Sequence, residues 1–116
     1  MTRFFMSIEQ AVDLVLYALE NGSNKDLWVY NNKSCTIKDL ADCISGNQIE
    51  VGLRCVEKND EALLTLAELN HSELYNNKYF RIGKKTINDY NYDKPFTSDN
   101  AERFTKEELK ELIFNL

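Results

Sequence analysis

Helix-spaced and strand-like apolar patterns alternate along this chain, and each is closed off by a turn signal. Apolar residues at Ile8, Ala11, Val12, Val15, Leu16 and Leu19 recur at the spacing of an amphipathic helix. Ser7 can cap that helix, and Gln10 stands where a capping box places Glu or Gln. Asn21-Gly22-Ser23 stops it. Asp26-Leu27-Trp28-Val29-Tyr30 then predicts a short strand, rich in residues that suit a pleated surface. Asn31 to Ser34 predicts a turn. Thr36 caps a second helix, with Ile37, Leu40, Ala41 and Ile44 on one side and Gly46-Asn47 at its end.

Further on, Ile49 to Leu53 alternates and predicts a second strand, running into Arg54. A third helix is expected within Glu61 to Leu69, begun either by Asp60 or by a box of Thr65 with Glu68. Asn76-Asn77 marks a turn before a third strand, Tyr79 to Ile82. Lys84 to Asp99 has no period and predicts an ordered loop, anchored by Tyr90, Tyr92 and Phe96. Thr105 and Glu108 box a last helix carrying Leu109, Leu112, Ile113 and Leu116 on one face. The fold class is therefore a small α/β (α+β) unit, with residues 1–116 forming one domain. A chain this small buries a modest share of its surface, so a docking face for another domain is expected. Arg3 and two Phe residues directly before the first helix read as a chain entered in mid-fold.

The net charge of −5 argues against nucleic-acid or anionic-membrane partners, which require a positive field. Cys35, Cys43 and Cys55 form neither a CxxC nor a zinc pattern and read as reduced, partly buried thiols. His71 is the only histidine, which disfavours a His-based metal site. No signal peptide is visible, and no apolar run approaches the ~18 residues of a membrane span, so a cytoplasmic location is expected.

The four glycines, at 22, 46, 52 and 83, fit neither G-x-G-x-x-G nor a Walker A loop, so no cofactor site is expected in this chain. Tyr90 and Lys94 match Y-x-x-x-K, but Pro95 follows and the residue before a proline avoids helix, so the stretch reads as an anchored loop. Arg3 and Arg54 are candidate diphosphate ligands, because a guanidinium offers fixed donors in a planar fork. Glu57 and Glu61 lie downstream and are candidate acceptors for ribose hydroxyls. Taken alone, these residues favour an ordinary set of surface ion pairs, Arg54 with Glu57 or Lys58 with Glu61. Glu57, Asp60 and Glu61 also allow an acid/base pair, although adjacent carboxylates are common on solvated faces.

In order, Thr2-Arg3-Phe4-Phe5 with Glu9-Gln10-Ala11-Val12-Asp13, Thr36-Ile37 with Asp39-Leu40-Ala41, Arg54-x-x-Glu57-Lys58-x-x-Glu61, Tyr79-Phe80-Arg81-Ile82, Asn91-Tyr92-Asp93-Lys94 and Thr97-Ser98-x-Asn100-x-Glu102-Arg103 form a series. It resembles the C-terminal region of the UDP-N-acetylglucosamine 4,6-dehydratase and 4,6-dehydratase/5-epimerase enzymes of capsule and O-antigen synthesis, which are extended short-chain dehydrogenases. The resemblance implies an intact enzyme with NADP and the catalytic Tyr/Lys in an N-terminal Rossmann domain, acting in cis or in trans, and an oligomeric assembly. It implies that this part closes over the UDP-sugar, with Arg3 and Arg54 at the diphosphate and Glu57 near the ribose. No catalytic residue is expected here. A non-catalytic UDP-sugar-binding or regulatory module, or a remnant acting by association alone, are the alternatives. Val56 stands where the family places glycine, Asp60 where it places an aromatic or His, and the stretch between Lys94 and Thr97 is shorter than in the family.

Overall fold

Side-chain caps place the helices. The structure, a computed structural model, describes residues 1–83 and 92–114. In α1 (Ile8–Asn21) the Ser7 hydroxyl accepts the Gln10 N–H at 3.1 Å, and the Gln10 side chain accepts the Ser7 N–H at 2.9 Å. Thr36 accepts the Asp39 N–H at 3.1 Å and starts α2 (Ile37–Ile44). The reciprocal pair of Thr65 and Glu68 starts α3 (Leu66–Asn70), so the later of the two candidate starts is used. Asp60 instead accepts a hydrogen bond from the Thr2 hydroxyl. Thr105 and Glu108 close the same box, at 3.0 and 3.2 Å, ahead of α4 (Lys106–Phe114).

The strands form small antiparallel sheets, which makes the unit α+β. β2 (Leu27–Tyr30), β5 (Ser72–Tyr75) and β6 (Tyr79–Ile82) lie in the order β2-β6-β5. Asn76, Asn77 and Lys78 join β5 to β6; Asn76 and Asn77 take φ of 54° and 58°, positive values that Asn tolerates, and the Lys78 N–H donates to the Tyr75 carbonyl at 2.9 Å. β1 (Thr2–Phe4) pairs with β3 (Ser34–Thr36), setting Arg3 opposite Cys35. β4 (Ala62–Leu64) pairs with β7 (Phe96–Thr97).

The expected strand at Ile49–Leu53 is absent. Its residues make no backbone hydrogen bond among the described residues, and Ile49 and Val51 are 90% and 83% exposed. Gly52, at φ +78°, breaks the extended run. Alternation alone forms no strand without a neighbour to pair with. Ser34, expected in a turn, opens β3. The anchored-loop expectation and the Tyr90 to Lys94 pattern lie partly outside the described residues, as does Leu116.

Among the described residues, two cores hold the elements. Cys35, Cys43 and Leu109 are buried with Leu40, Phe104 and Ile113 around them, joining α2 to α4. Leu64, Leu69 and Phe80 are buried with Val29, Ile82, Tyr92 and Phe96 around them. Cys55 differs from the other two thiols in being exposed. α1 contributes no buried residue at all, and meets the sheet through Tyr17, which stacks on Tyr79 at 4.5 Å and meets Trp28 edge-on at 5.5 Å. The radius of gyration is 16.1 Å. A compact chain of this length would have about 13 Å.

Candidate functional site

The segment between α2 and β4 carries the candidate site. Its sharpest feature is the turn Arg54-Cys55-Val56-Glu57. The Glu57 N–H donates to the Arg54 carbonyl at 3.2 Å, and the Glu57 carboxylate accepts the Arg54 N–H at 2.8 Å. Val56 takes φ +66°, the sign that a type II turn needs at its third residue and that glycine adopts without strain. The residue at the family's glycine position therefore keeps the glycine conformation, although its side chain disfavours it. The exposed Arg54 guanidinium has no hydrogen-bond or ion-pair partner among the described residues, so its fork faces solvent.

β1 fixes the far end of this segment. The Thr2 N–H donates to the Asn59 carbonyl at 2.8 Å, and the Phe4 N–H to the Glu61 carboxylate at 3.2 Å. Arg3 binds the same stretch through its side chain. Nη1 donates to the Thr2 and Asn59 carbonyls at 2.7 and 3.0 Å, Nη2 donates to the Lys58 carbonyl at 2.7 Å, and Nε lies 3.6 Å from the Glu61 carboxylate. The two predicted arginines thus stand differently. Arg3 is nearly saturated by the chain, and Arg54 is open. Glu57 is tied to the backbone of Arg54, and Glu61 to β1.

Behind β1 is a buried polar hub that the residue-by-residue reading did not isolate. Ser98 is fully buried. Its Oγ lies 2.7 Å from the Thr2 hydroxyl and accepts the Glu61 N–H at 2.8 Å, while its own N–H donates to the Glu61 carbonyl at 2.8 Å. Its carbonyl accepts from Ser34 at 2.7 Å and from Arg103, which also reaches the Asp99 carbonyl at 2.9 Å. Asn100 accepts the Thr97 N–H at 3.0 Å and donates to the Pro95 carbonyl at 2.7 Å. The T-S-x-N-x-x-R pattern was the available signal. Its polar side chains tie the backbones of three distant segments together, so that buried carbonyls and amides keep partners.

The arrangement is suited to binding an anion: one open guanidinium on a hydrogen-bonded turn, backed by a braced segment. Among the described residues no group of three His, Cys, Asp or Glu side chains is placed to hold a metal ion, and no helix is long and apolar enough to cross a membrane.

Comparison with known proteins is consistent along the chain. Residues 1–83 match the family described as polysaccharide biosynthesis protein. The chain is similar over its whole length to proteins named UDP-glucose 4-epimerase, at 38% identity over 135 residues in Rickettsia bellii and 35% over 139 in Rickettsia felis. It covers 39% of each of those relatives, so it spans about two fifths of their length. These alignments are longer than the chain's 116 residues, so the relatives carry additional residues within the region. The solved structure of Pen from Bacillus thuringiensis is 28% identical and superposes with a TM-score of 0.79, over all of this chain and 38% of that one.

Proposed function

Since the chain belongs to the polysaccharide biosynthesis protein family, we propose that it is the nucleotide-sugar-binding, C-terminal part of an epimerase- or dehydratase-type enzyme. The observation that carries this reading is the open Arg54 guanidinium on the Arg54–Glu57 turn, in a chain similar throughout to two fifths of proteins named UDP-glucose 4-epimerase. In this reading Arg54 takes the diphosphate, and the free oxygen of Glu57 accepts from a ribose hydroxyl. Arg3 contributes to the diphosphate site by bracing residues 58–61. The ligand is a UDP-hexose. UDP-N-acetylglucosamine, with 4,6-dehydration and C5 epimerisation, is the finer form suggested by the sequence pattern. UDP-glucose is the form suggested by the relatives' names. A role in capsule or O-antigen synthesis in the cytoplasm goes with the first.

The residues here do not fit a dinucleotide cofactor. The four glycines, at 22, 46, 52 and 83, have no G-x-G-x-x-G spacing. Gly22 caps α1, and an added Cβ there would stand 2.5 Å from the Ala18 carbonyl oxygen. NADP is therefore assigned to a Rossmann domain outside this chain, and no step through it is assigned to a residue here.

The test is a chimaera, in which this chain replaces the matching region of the Rickettsia bellii relative, titrated calorimetrically with UDP, UDP-glucose and UDP-N-acetylglucosamine. Binding that weakens about tenfold or more in Arg54→Ala supports the reading. A folded chimaera that binds none of the three, beside a parent that does, overturns it. Preference between the two sugars decides the finer form.

A further inference from the structure

Val56 is strained, and no packing offsets the strain. Its φ is +66° and it is 95% exposed. The left-handed region disfavours an L-residue by about five- to thirtyfold in population, and a β-branched side chain is among the least suited to it. The turn nevertheless stands closed, so something holds it. Among the described residues two contacts do. The Glu57 N–H donates to the Arg54 carbonyl at 3.2 Å, long for such a bond, and the Arg54 N–H donates to the Glu57 carboxylate at 2.8 Å. The second has a charged acceptor and is the stronger of the two. Residues 49–53, just before the turn, make no backbone–backbone hydrogen bond among the described residues that would hold it from that side.

Beyond the turn the chain is fixed. The Arg3 side chain donates to the Lys58 and Asn59 carbonyls at 2.7 and 3.0 Å, and the Thr2 N–H donates to the Asn59 carbonyl at 2.8 Å. Only Cys55, Val56 and Glu57 lie between Arg54 and that frame. The backbone at Val56 therefore decides where the Arg54 guanidinium stands relative to it, and a return of Val56 to negative φ re-aims Arg54.

We propose that Glu57 is a positioning residue for Arg54: its carboxylate latches the turn closed against the strain at Val56, so that Arg54 is presented to a diphosphate only while the latch holds. This rests on the functional reading above and adds to it how the anion site is kept in place. A glycine at position 56 would let the turn close unaided, because it adopts positive φ without a Cβ clash. Valine makes closure depend on Glu57. The latch uses one carboxylate oxygen, and the ribose contact proposed for Glu57 uses the other. The two roles therefore have separate consequences.

The experiment titrates the chimaera with UDP and with inorganic pyrophosphate, as parent, Glu57→Ala, Val56→Gly and the double variant. Both positions are exposed, so all four fold. Val56→Gly alone changes UDP affinity little, because the latched turn is already closed. Glu57→Ala weakens UDP binding about fivefold or more, and Val56→Gly in the same molecule restores most of that loss. A contact with ribose alone is lost equally whichever residue stands at 56, so equal losses in the two backgrounds overturn the proposal. Pyrophosphate has no ribose. Removing a carboxylate beside an anion would by charge alone tighten its binding, whereas loss of the latch weakens it several-fold. Pyrophosphate binding that is unchanged or tighter in Glu57→Ala also overturns the proposal. Arg54→Ala separates the two readings. If it leaves UDP binding intact, the nucleotide site is wrong and the latch has no ligand to serve. If it weakens UDP binding while Glu57→Ala costs the same in both backgrounds, the latch alone is wrong.

Discussion

Glu57 closes on Arg54 twice, through its own N–H to the Arg54 carbonyl at 3.2 Å and through its carboxylate to the Arg54 N–H at 2.8 Å. The closure holds Val56 at φ +66° with its side chain 95% exposed. An L-residue in this region is strained by about 1–2 kcal/mol, more than the ~0.5–1 kcal/mol that glycine loses in chain entropy. Val56→Gly is therefore expected to stabilise the chain by roughly 1 kcal/mol, since the exposed side chain contributes no burial. Urea unfolding measures it. Val56→Ala should change little, and an equal gain from alanine would show that φ is not the cause.

Ser98 touches both Thr2 and Glu61 from a fully buried position. Ser98→Ala leaves the Glu61 N–H without its side-chain acceptor and removes one of the two side-chain partners of the Thr2 hydroxyl, which keeps Asp60. The expected loss is about 2 kcal/mol. Loosening should be concentrated in residues 58–61, read by hydrogen exchange of those amides. A uniform loss of protection across α1 and the β5–β6 hairpin would argue instead for global destabilisation.

Acid should weaken the junction between the β2–β3 connection and α4. The Lys33 ammonium, 2.8 Å away, and then the Thr105 N–H hold the Glu108 carboxyl below its ordinary 4.5 in the folded chain. As pH falls the unfolded chain takes up this proton first, so the contribution is present above pH 4.5 and is lost as pH drops through the depressed value. Glu108→Gln should accordingly be less stable than the parent at pH 7, with the gap narrowing as pH falls below 4.5. Parallel urea midpoints from pH 3 to 7 check this, and a constant gap would exclude ionisation as the source.

These relationships were unequally legible in the sequence. Ser7, Thr36, Thr65 and Thr105 each announce a helix, because capping is local chemistry that one turn of chain can satisfy. β1, β3, β4 and β7 span two or three residues, too few for a period to register, and exist because distant segments pair with them. Ile49–Leu53 has the period but no partner among the described residues. Arg54 and Glu57 were visible as charges in a pattern. That Arg3 is taken up by the Lys58 and Asn59 carbonyls was not, because a hydrogen bond across 55 residues leaves no local trace.

Arg3 offers the sharpest separation of charge from geometry. Its two terminal nitrogens donate to three backbone carbonyls, a fan that a planar guanidinium makes and a single ammonium cannot. Its side chain is 26% exposed, so the hydrogen bonds are partly screened, and Arg3→Ala is expected to cost about 1–2 kcal/mol. Arg3→Lys retains the positive charge but loses the fan, and should lose nearly as much stability as the alanine variant. Both should weaken UDP binding in the chimaera, through displacement of residues 58–61 and the Arg54 turn that precedes them. If Arg3→Lys keeps the parent's urea midpoint and UDP affinity, charge at this position suffices and the bracing role is wrong. If it loses both together, the planar fork is what the site depends on.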